Sequence, residues 1–435
     1  MFLNFFLSLI FFIVLKPFKL YPSNSYRIVI EHLFGKSFKF TEKSTYDRLI
    51  VIKYYFKVLA YKISPLNKLN DNEILIFDNS SKSKKIRIEF LSYYLKNKNF
   101  NFISYCDLCC FKSRFEKVIF IAISLPFVLI FFVLSQFFKY QSSIALFVEY
   151  SLVISNLLKT LRKNNQLNKI YYFSIYERES NFFSKVIINH TGIEVVKISS
   201  DTPLIFWNQF ILCDKLLLCN SYQYDELKSK QICTQISDVE ILGPERSFSY
   251  RNLYNQDSST PSNTIGFYST ASWVRDKNNA IFQGVDFTKI ELKVLKVIKQ
   301  IVQENKKNKL FILLHPKEKK YSIKDLKTHY SNILGSDIVF EFLNYNQSTA
   351  QLFDKIDLGI SFNSSVIHER LYCGFKSILF PNNPDFPLIN SPLSNICASS
   401  TLELKKLIDE SLNMSTSNFF KIFDLQPYSF RKINL

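Results

Sequence analysis

Glycine is in short supply in this sequence: 8 of 435 residues, against 44 phenylalanines and 24 tyrosines. No Gly-x-Gly occurs, which excludes the dinucleotide fingerprint, and the GxxxxGK[ST] phosphate loop is absent as well. Collagen-like, glycine-linker and low-complexity disordered classes fail on the same count. A nucleotide held by this chain needs a phosphate site of another construction. Acidic residues are also few, 37 against 55 Lys and Arg, leaving a formal charge of +18. Residues 16–117 hold 20 of the basic and 9 of the acidic residues, so more than half of the surplus lies there. Those cations are scattered among Phe, Tyr and Ile, as in Tyr26-Arg-Ile-Val-Ile-Glu31, and form no arginine-rich tract. With no zinc-finger spacing, RNP-like motif or basic zipper, nucleic acid is not an expected partner. Attraction to an anionic membrane surface is the preferred reading of the basic region, which apolar segments bracket. An AT-rich genome is the plainer source of so much Lys, Asn, Ile and Phe. Of the 8 cysteines only Cys106, Cys109 and Cys110 cluster, and no partner pair follows at zinc spacing, so neither metal nor disulfide is expected.

Two long apolar runs stand out. The first, 1–15, has no basic residue ahead of it and is short of the about 20 residues that a span requires. The second, Val118 to Phe138, is uncharged, with Lys112, Arg114 and Lys117 before it and Lys139 after it. A third run, Ile144 to Leu158, follows, so the apolar region covers 118–158. A single crossing at 118–138 would put strand-like segments 73–78 and 169–176 on opposite sides of a bilayer, and Pro126 interrupts the run. A re-entrant or interfacial helical hairpin is therefore expected, with both ends on the basic side. A very hydrophobic buried helix is the alternative. The expected location is the cytoplasmic face of a membrane, peripheral or monotopic, or with one or two membrane helices.

Gln256-Asp-Ser-Ser-Thr-Pro-Ser-Asn263 reads as a linker and divides the chain into parts at 1–255 and 262–435. The second part alternates short apolar runs with amphipathic helical spacing. Strands are expected at 264–270, 310–314, 337–341, 357–362 and 376–381, with helices near 287–306, 322–333, 348–355 and 366–373. The first part repeats the pattern less clearly, with strands at 73–78, 101–105, 169–176, 193–198 and 215–219. The fold class is α/β: two Rossmann-like domains, the first carrying the apolar insertion, with ligands at the carboxyl ends of the strands.

Polar residues gather behind three of those strands. Strand 264–268 runs into Ser269-Thr-Ala-Ser272-Trp-Val-Arg275, strand 310–314 into His315-Pro316-Lys-Glu318, and strand 358–362 into Asn363-Ser364-Ser365, followed by Glu369. Ser364 and Ser365 at a helix start offer hydroxyls and free backbone N–H groups to a phosphate. Glu369 can accept from ribose hydroxyls, and His315 or Arg275 can neutralise phosphate charge. The plain alternatives are a capping serine and a structural histidine. In the first part, Glu177, in Glu177-Arg-Glu179 after strand 169–176, is the candidate general base, with Asp201 as the alternative. An ion pair with Arg178 or a lysine is the ordinary reading of Glu177.

His315-Pro316 and Ser364-Ser365 together resemble motifs of the bacterial sialyltransferases, polysialyltransferases and capsular Kdo transferases, which have the GT-B fold. In that group a His-Pro after a strand and a Ser-Ser/Thr further on both contact a CMP-sugar, and a helix Glu such as Glu369 is common in GT-B enzymes. The resemblance covers about 265–385. It departs at the acidic motif, because Glu177-Arg-Glu179 lacks the group's glycine. It implies a metal-independent glycosyltransferase of bacterial surface polysaccharide synthesis. That enzyme takes a nucleotide sugar as substrate, CMP-linked in preference to UDP-linked, with no further cofactor. The acceptor is a glycan or a lipid-linked glycan. Ser269, Ser272, Arg275, His315, Pro316, Ser364, Ser365 and Glu369 form the expected donor site, and Glu177, Asp201 and His315 the catalytic candidates. Polyol-phosphate transfer of the CDP-glycerol type and a non-catalytic role in polysaccharide assembly are the alternatives.

Overall fold

The computed structural model describes residues 50–64, 69–70, 73–78, 84–96, 99–135, 141–164, 166–173, 178–199, 210–219, 223–224, 227, 233–245, 247–250, 253–254, 263–274, 281–282, 285–362, 364–380 and 392–425. The chain forms two compact α/β units.

The first unit is built on six parallel strands in the order β2-β1-β3-β4-β5-β6. They are β1 (Ile74–Asp78), β2 (Asn101–Ser104), β3 (Lys169–Tyr172), β4 (Glu194–Ile198), β5 (Phe210–Leu218) and β6 (Cys233–Ile241). Runs such as Ile74-Leu-Ile-Phe77 are buried along their length, as a parallel sheet covered on both faces demands. The helices are α1 (Ile50–Leu59), α2 (Lys84–Leu95), the short α3 (Tyr105–Leu108), α4 (Arg114–Ser135), α5 (Gln141–Arg162) and α6 (Arg178–His190). The apolar run that begins at Val118 thus lies within α4, its last residues, 136–138, falling outside the described ones. The run 144–158 lies within α5. Among the described residues, no helix is long and apolar enough to cross a membrane. Helix α5 is buried over Leu152, Val153, Ile154, Leu157, Leu158 and Leu161. Within it, Asn156 donates to the carbonyls of Leu108 (2.9 Å) and Cys110 (2.8 Å), satisfying backbone that would otherwise be orphaned in the core.

The second unit has five parallel strands in the order β11-β10-β7-β12-β13. They are β7 (Thr264–Tyr268), β10 (Lys309–Leu313), β11 (Phe340–Phe342), β12 (Leu358–Ser361) and β13 (Ser377–Leu379). A two-stranded antiparallel pair, β8 (Ile281–Phe282) and β9 (Val285–Asp286), precedes α7 (Phe287–Glu304). Further helices are α8 (Ile323–Leu334), α9 (Ser365–Tyr372), α10 (Thr401–Leu412) and α11 (Thr416–Ile422), and a 3₁₀ helix covers Thr349–Lys355. The sequence pattern places β7, β10, β12, β13, α7, α8 and α9 within a few residues of their observed bounds and does not foresee α10 or α11; two expected elements depart from it. The strand expected at 337–341 lies at Phe340–Phe342. The chain first turns through Gly335, whose φ is +93°, and Asp337 accepts from Gln303 Nε2 at 2.8 Å, which delays pairing. Segment 348–355 winds as a 3₁₀ rather than an α-helix. β6 and the β8–β9 pair are not foreseen by the sequence pattern.

Strand order 3-2-1-4-5 within this unit puts its topological switch point beside β7, with β10 on one flank and β12 on the other. Helix α9 is fastened to the sheet by Arg370, which is fully buried. Its five N–H groups all find acceptors. Nε donates to Ser377 Oγ (3.3 Å), Nη1 to Tyr268 OH and Phe353 O (both 3.0 Å), and Nη2 to Ile356 O (3.1 Å) and Lys376 O (3.3 Å). The rings of Tyr268, Phe353 and Phe375 lie within 5.3–5.6 Å of the guanidinium. Gly359 leaves the room for it: a Cβ there would stand 2.5 Å from Arg370 Nε. Nearby, Asp357 and Lys376 make a buried ion pair at 2.8 Å, and Lys376 also donates to the carbonyls of Ser411 and Met414. Replacing Arg370 by methionine leaves three carbonyls and two hydroxyls without their donor in the core. It is expected to cost about 3 kcal/mol or more, and Gly359→Ala is expected to destabilise by forcing the same guanidinium aside. Urea unfolding midpoints of the two variants check both.

Candidate functional site

The three polar tips read from the sequence follow β7, β10 and β12, which are adjacent and parallel, so all three leave the same edge of the sheet. The tips do different work.

Behind β7, the chain folds onto one carboxylate. Glu291 of α7 is buried. It accepts from Thr270 N (2.6 Å), Ser272 N (3.1 Å), Ser269 Oγ (3.4 Å) and the Ser272 hydroxyl. Ser269 Oγ also accepts from Ala271 N at 3.0 Å. Ala271 has φ +57°, a left-handed conformation that a side chain resists and that these bonds hold in place. Ser269 and Ser272 are thus buried and engaged in building their own loop, rather than directed at a ligand as expected from sequence. Arg275 lies outside the described residues.

A second carboxylate organises the tip behind β10. Glu318 is fully buried and accepts from His315 N (2.8 Å), Trp273 Nε1 (2.6 Å) and Tyr330 OH (2.8 Å). Burial raises its carboxyl above the ordinary range, and the donors oppose that shift without cancelling it. Trp273 in turn stacks on His329 at 4.0 Å, and burial lowers that imidazole to about 4. Glu318 therefore ties the β7 tip, the β10 tip and α8 into one body. The turn 315–318 it closes presents His315 half-exposed and Pro316 exposed. His315 Nδ1 accepts from Lys317 N at 3.1 Å, which assigns the proton of the neutral ring to Nε2 and makes that nitrogen the donor. Asn344 supports the turn from behind, exchanging bonds with Leu314 N (2.7 Å) and O (2.9 Å).

Behind β12, Ser361 Oγ donates to Tyr268 O at 2.7 Å, and Phe362 packs edge-on to Phe287 at 5.0 Å. Asn363 lies outside the described residues. Ser364 is the N-cap of α9, extended at φ −104° and ψ 133°, yet it makes no side-chain cap hydrogen bond. Ser364 and Ser365 are both half-exposed, as is Glu369 one turn on. An uncapped helix start leaves N–H groups and the positive end of the helix dipole open to an anion. His368, on the same helix, is buried and its Nδ1 has no partner among the described residues; burial lowers it to about 4, so the ring is neutral at pH 7. The His315 and Ser364 tips are two strand spacings apart, roughly 10 Å.

Glu177 and Asp201, the base candidates, both lie outside the described residues. The sequence reading missed Glu291, Arg370 and the role of Glu318. Glu291 and Arg370 had a usable signal, a charge on the apolar stripe of an amphipathic helix: Glu291 between Phe287 and Val294, and Arg370 between Ile367 and Leu371.

No protein-family model and no curated protein matches the sequence. Solved structures do match. A putative UDP-N-acetylglucosamine 2-epimerase from Listeria monocytogenes has a TM-score of 0.50 at 11% identity, covering 82% of this chain and 92% of its own. The fold is GT-B. The UDP-GlcNAc 2-epimerase from Neisseria meningitidis bound to UDP-GlcNAc covers 82% of this chain and 95% of its own, at 12% identity and a TM-score of 0.48. For the trehalose-6-phosphate synthase OtsA the values are 81%, 94%, 9% and 0.46.

The loop architecture carries a pH signature. A raised carboxyl pKa in the folded state means that folding favours protonated Glu318. Its contribution to stability is fully present below the unfolded value near 4.3 and is lost as pH rises through the folded value. Wild type is therefore expected to lose stability relative to Glu318→Gln as pH is raised from about 4 to 7. Parallel urea titrations of the two proteins across that range measure the difference; a constant gap would show that Glu318 does not titrate abnormally.

Proposed function

We propose that this protein is a nucleotide-sugar-dependent glycosyltransferase whose second unit holds the donor at the carboxyl edge of β7, β10 and β12. The observation that carries the reading is the uncapped start of α9, where half-exposed Ser364 and Ser365 stand beside the unit's topological switch point. Their hydroxyls and the first N–H groups of α9 bind the donor's phosphate, His315 donates from Nε2 to the same anionic group, and Glu369 accepts from the ribose. The roughly 10 Å between the two tips suits a nucleotide lying across β7 better than a lone phosphate. A CMP-linked donor is favoured over a UDP-linked one by the pairing of His315-Pro316 with Ser364-Ser365. The acceptor is a hydroxyl of a glycan or lipid-linked glycan in bacterial surface polysaccharide synthesis. Glu177, or alternatively Asp201, takes the acceptor proton as general base. The developing phosphate charge is met by hydrogen-bond donors and the α9 dipole, so no divalent metal is required.

A second reading is epimerisation of a nucleotide sugar, supported by the name of the Listeria protein that shares the fold at a TM-score of 0.50. It uses the same donor site and differs in needing no acceptor.

Thermal-shift titration with CMP, CDP, UDP and GDP tests the site. At one hundred times the dissociation constant a ligand stabilises by about 2.7 kcal/mol, a readily measured shift. Wild type is expected to respond to at least one of the four, and Ser364→Ala to bind that nucleotide about tenfold more weakly, the worth of one hydrogen bond to a charged group. Silence toward all four removes the nucleotide reading. Product analysis with the matching nucleotide sugar then separates transfer, which requires an acceptor, from epimerisation, which proceeds without one.

A further inference from the structure

Helix α4 is apolar on its outward side as well as its inward one. Its inner side is held by Phe120, which packs edge-on to Phe111 at 5.5 Å, and by buried Ser124, which bonds to Tyr55 OH at 3.3 Å. Its outward residues recur at helical spacing and are all apolar: Phe115, Val118, Ile119, Ala122, Leu125 and Leu129, with exposed Pro126 beside them. Phe115 is 74% exposed, Val118 62% and Leu129 54%. Fourteen steps of 1.5 Å from Phe115 to Leu129 make this an apolar strip of about 21 Å, and no described element covers it.

One end of the strip is cationic. Lys112, Arg114 and Lys117 stand at the start of α4, and Lys159, Arg162 and Lys163 at the end of α5. Glu116 joins the two groups, its carboxylate accepting from Lys159 Nζ and Lys112 N. Burial and the repulsion of Lys159 and Lys163 hold the Lys112 ammonium below its ordinary range, so these positive charges feel one another across the helix pair. Among the described residues, six cations stand there against Glu116 and the nearby Asp107, which leaves the end positive.

We propose that the outward face of α4 is a docking surface for an anionic lipid bilayer, with the helix lying in the interfacial plane. The apolar strip enters the boundary between headgroups and acyl chains, and the cations at its end meet anionic headgroups. A second copy of the chain is the poorer occupant, because at +18 it brings the same sign of charge to the contact and no counter-charge. Such docking stands independently of the nucleotide reading.

The test is co-sedimentation of the full chain with vesicles of phosphatidylcholine alone and of phosphatidylcholine containing about one third phosphatidylglycerol, each at low and high salt. Wild type is expected to bind the anionic vesicles and to be weakened by salt. Val118→Glu with Leu125→Glu is expected to lower binding at least about tenfold, since two charges then enter an apolar boundary. Arg162→Glu with Lys163→Glu is expected to weaken binding and flatten its salt dependence. All four side chains are exposed, so circular dichroism, the thermal midpoint and any nucleotide-induced shift should match wild type. Absence of wild-type binding overturns the proposal. So does undiminished vesicle binding by the α4 variant, which would place the contact elsewhere in the chain. A dimer in light scattering that Val118→Glu with Leu125→Glu converts to monomer would also overturn it, by assigning the face to a second copy.

Discussion

The second unit depends on one buried guanidinium. Arg370 is a fixed positive charge in the core, and none of the five acceptors of its N–H groups is a carboxylate; carbonyl dipoles, two hydroxyls and three aromatic faces receive it instead. Its five donors reach β7, β13, the 3₁₀ segment before β12 and the chain entering β13. The helix that carries it is thereby held against the sheet from several directions. Because α9 is short, fixing its C-terminal half also fixes its first residues. The uncapped start at Ser364 takes its position from Arg370, some one and a half turns along the same helix. A site that offers backbone N–H groups to an anion has to be rigid to be useful, and here rigidity is supplied from below.

The carboxylates Glu291 and Glu318 extend the same logic to the loops. Tight strand-to-helix turns commonly use glycine, because it adopts left-handed backbone freely. This chain has almost none to spare. At the β7 tip an alanine takes the left-handed position, and Glu291 stabilises it by accepting from the N–H groups on either side of it. At the β10 tip Glu318 closes the turn by taking His315 N, while binding Trp273 and Tyr330 from two other elements. Both are acidic residues in a basic protein, and both are buried, where their value lies in accepting hydrogen bonds rather than in surface charge.

Much of the fold was legible in the residues. Short buried runs such as Leu310-Phe-Ile-Leu and amphipathic stretches such as Phe287–Glu304 have periods that read directly, and their alternation implies parallel sheets. The strand-end positions of His315 and Ser364 followed from the same pattern. Less legible was what each polar residue does there. Ser269 and Ser364 look alike as serines behind strands, yet one is bonded to Glu291 and the other caps nothing. That difference depends on a carboxylate 22 residues away, and local pattern carries no record of it. Likewise the run 118–138 reads as apolar throughout, whereas packing against α1 and α5 gives α4 an inner and an outer side.

What the sequence determined by itself was most of the strands and the helices between them, because backbone periodicity is written in the order of apolar and polar residues. It also excluded every glycine-based phosphate loop. The tertiary structure alone decided strand order, which made three separated tips neighbours across β7. It decided which charges are buried, making Glu291, Glu318 and Arg370 the supports of those tips. The physical reason is the same for both: hydrogen-bond partners and desolvation are properties of place, and only the folded chain assigns places.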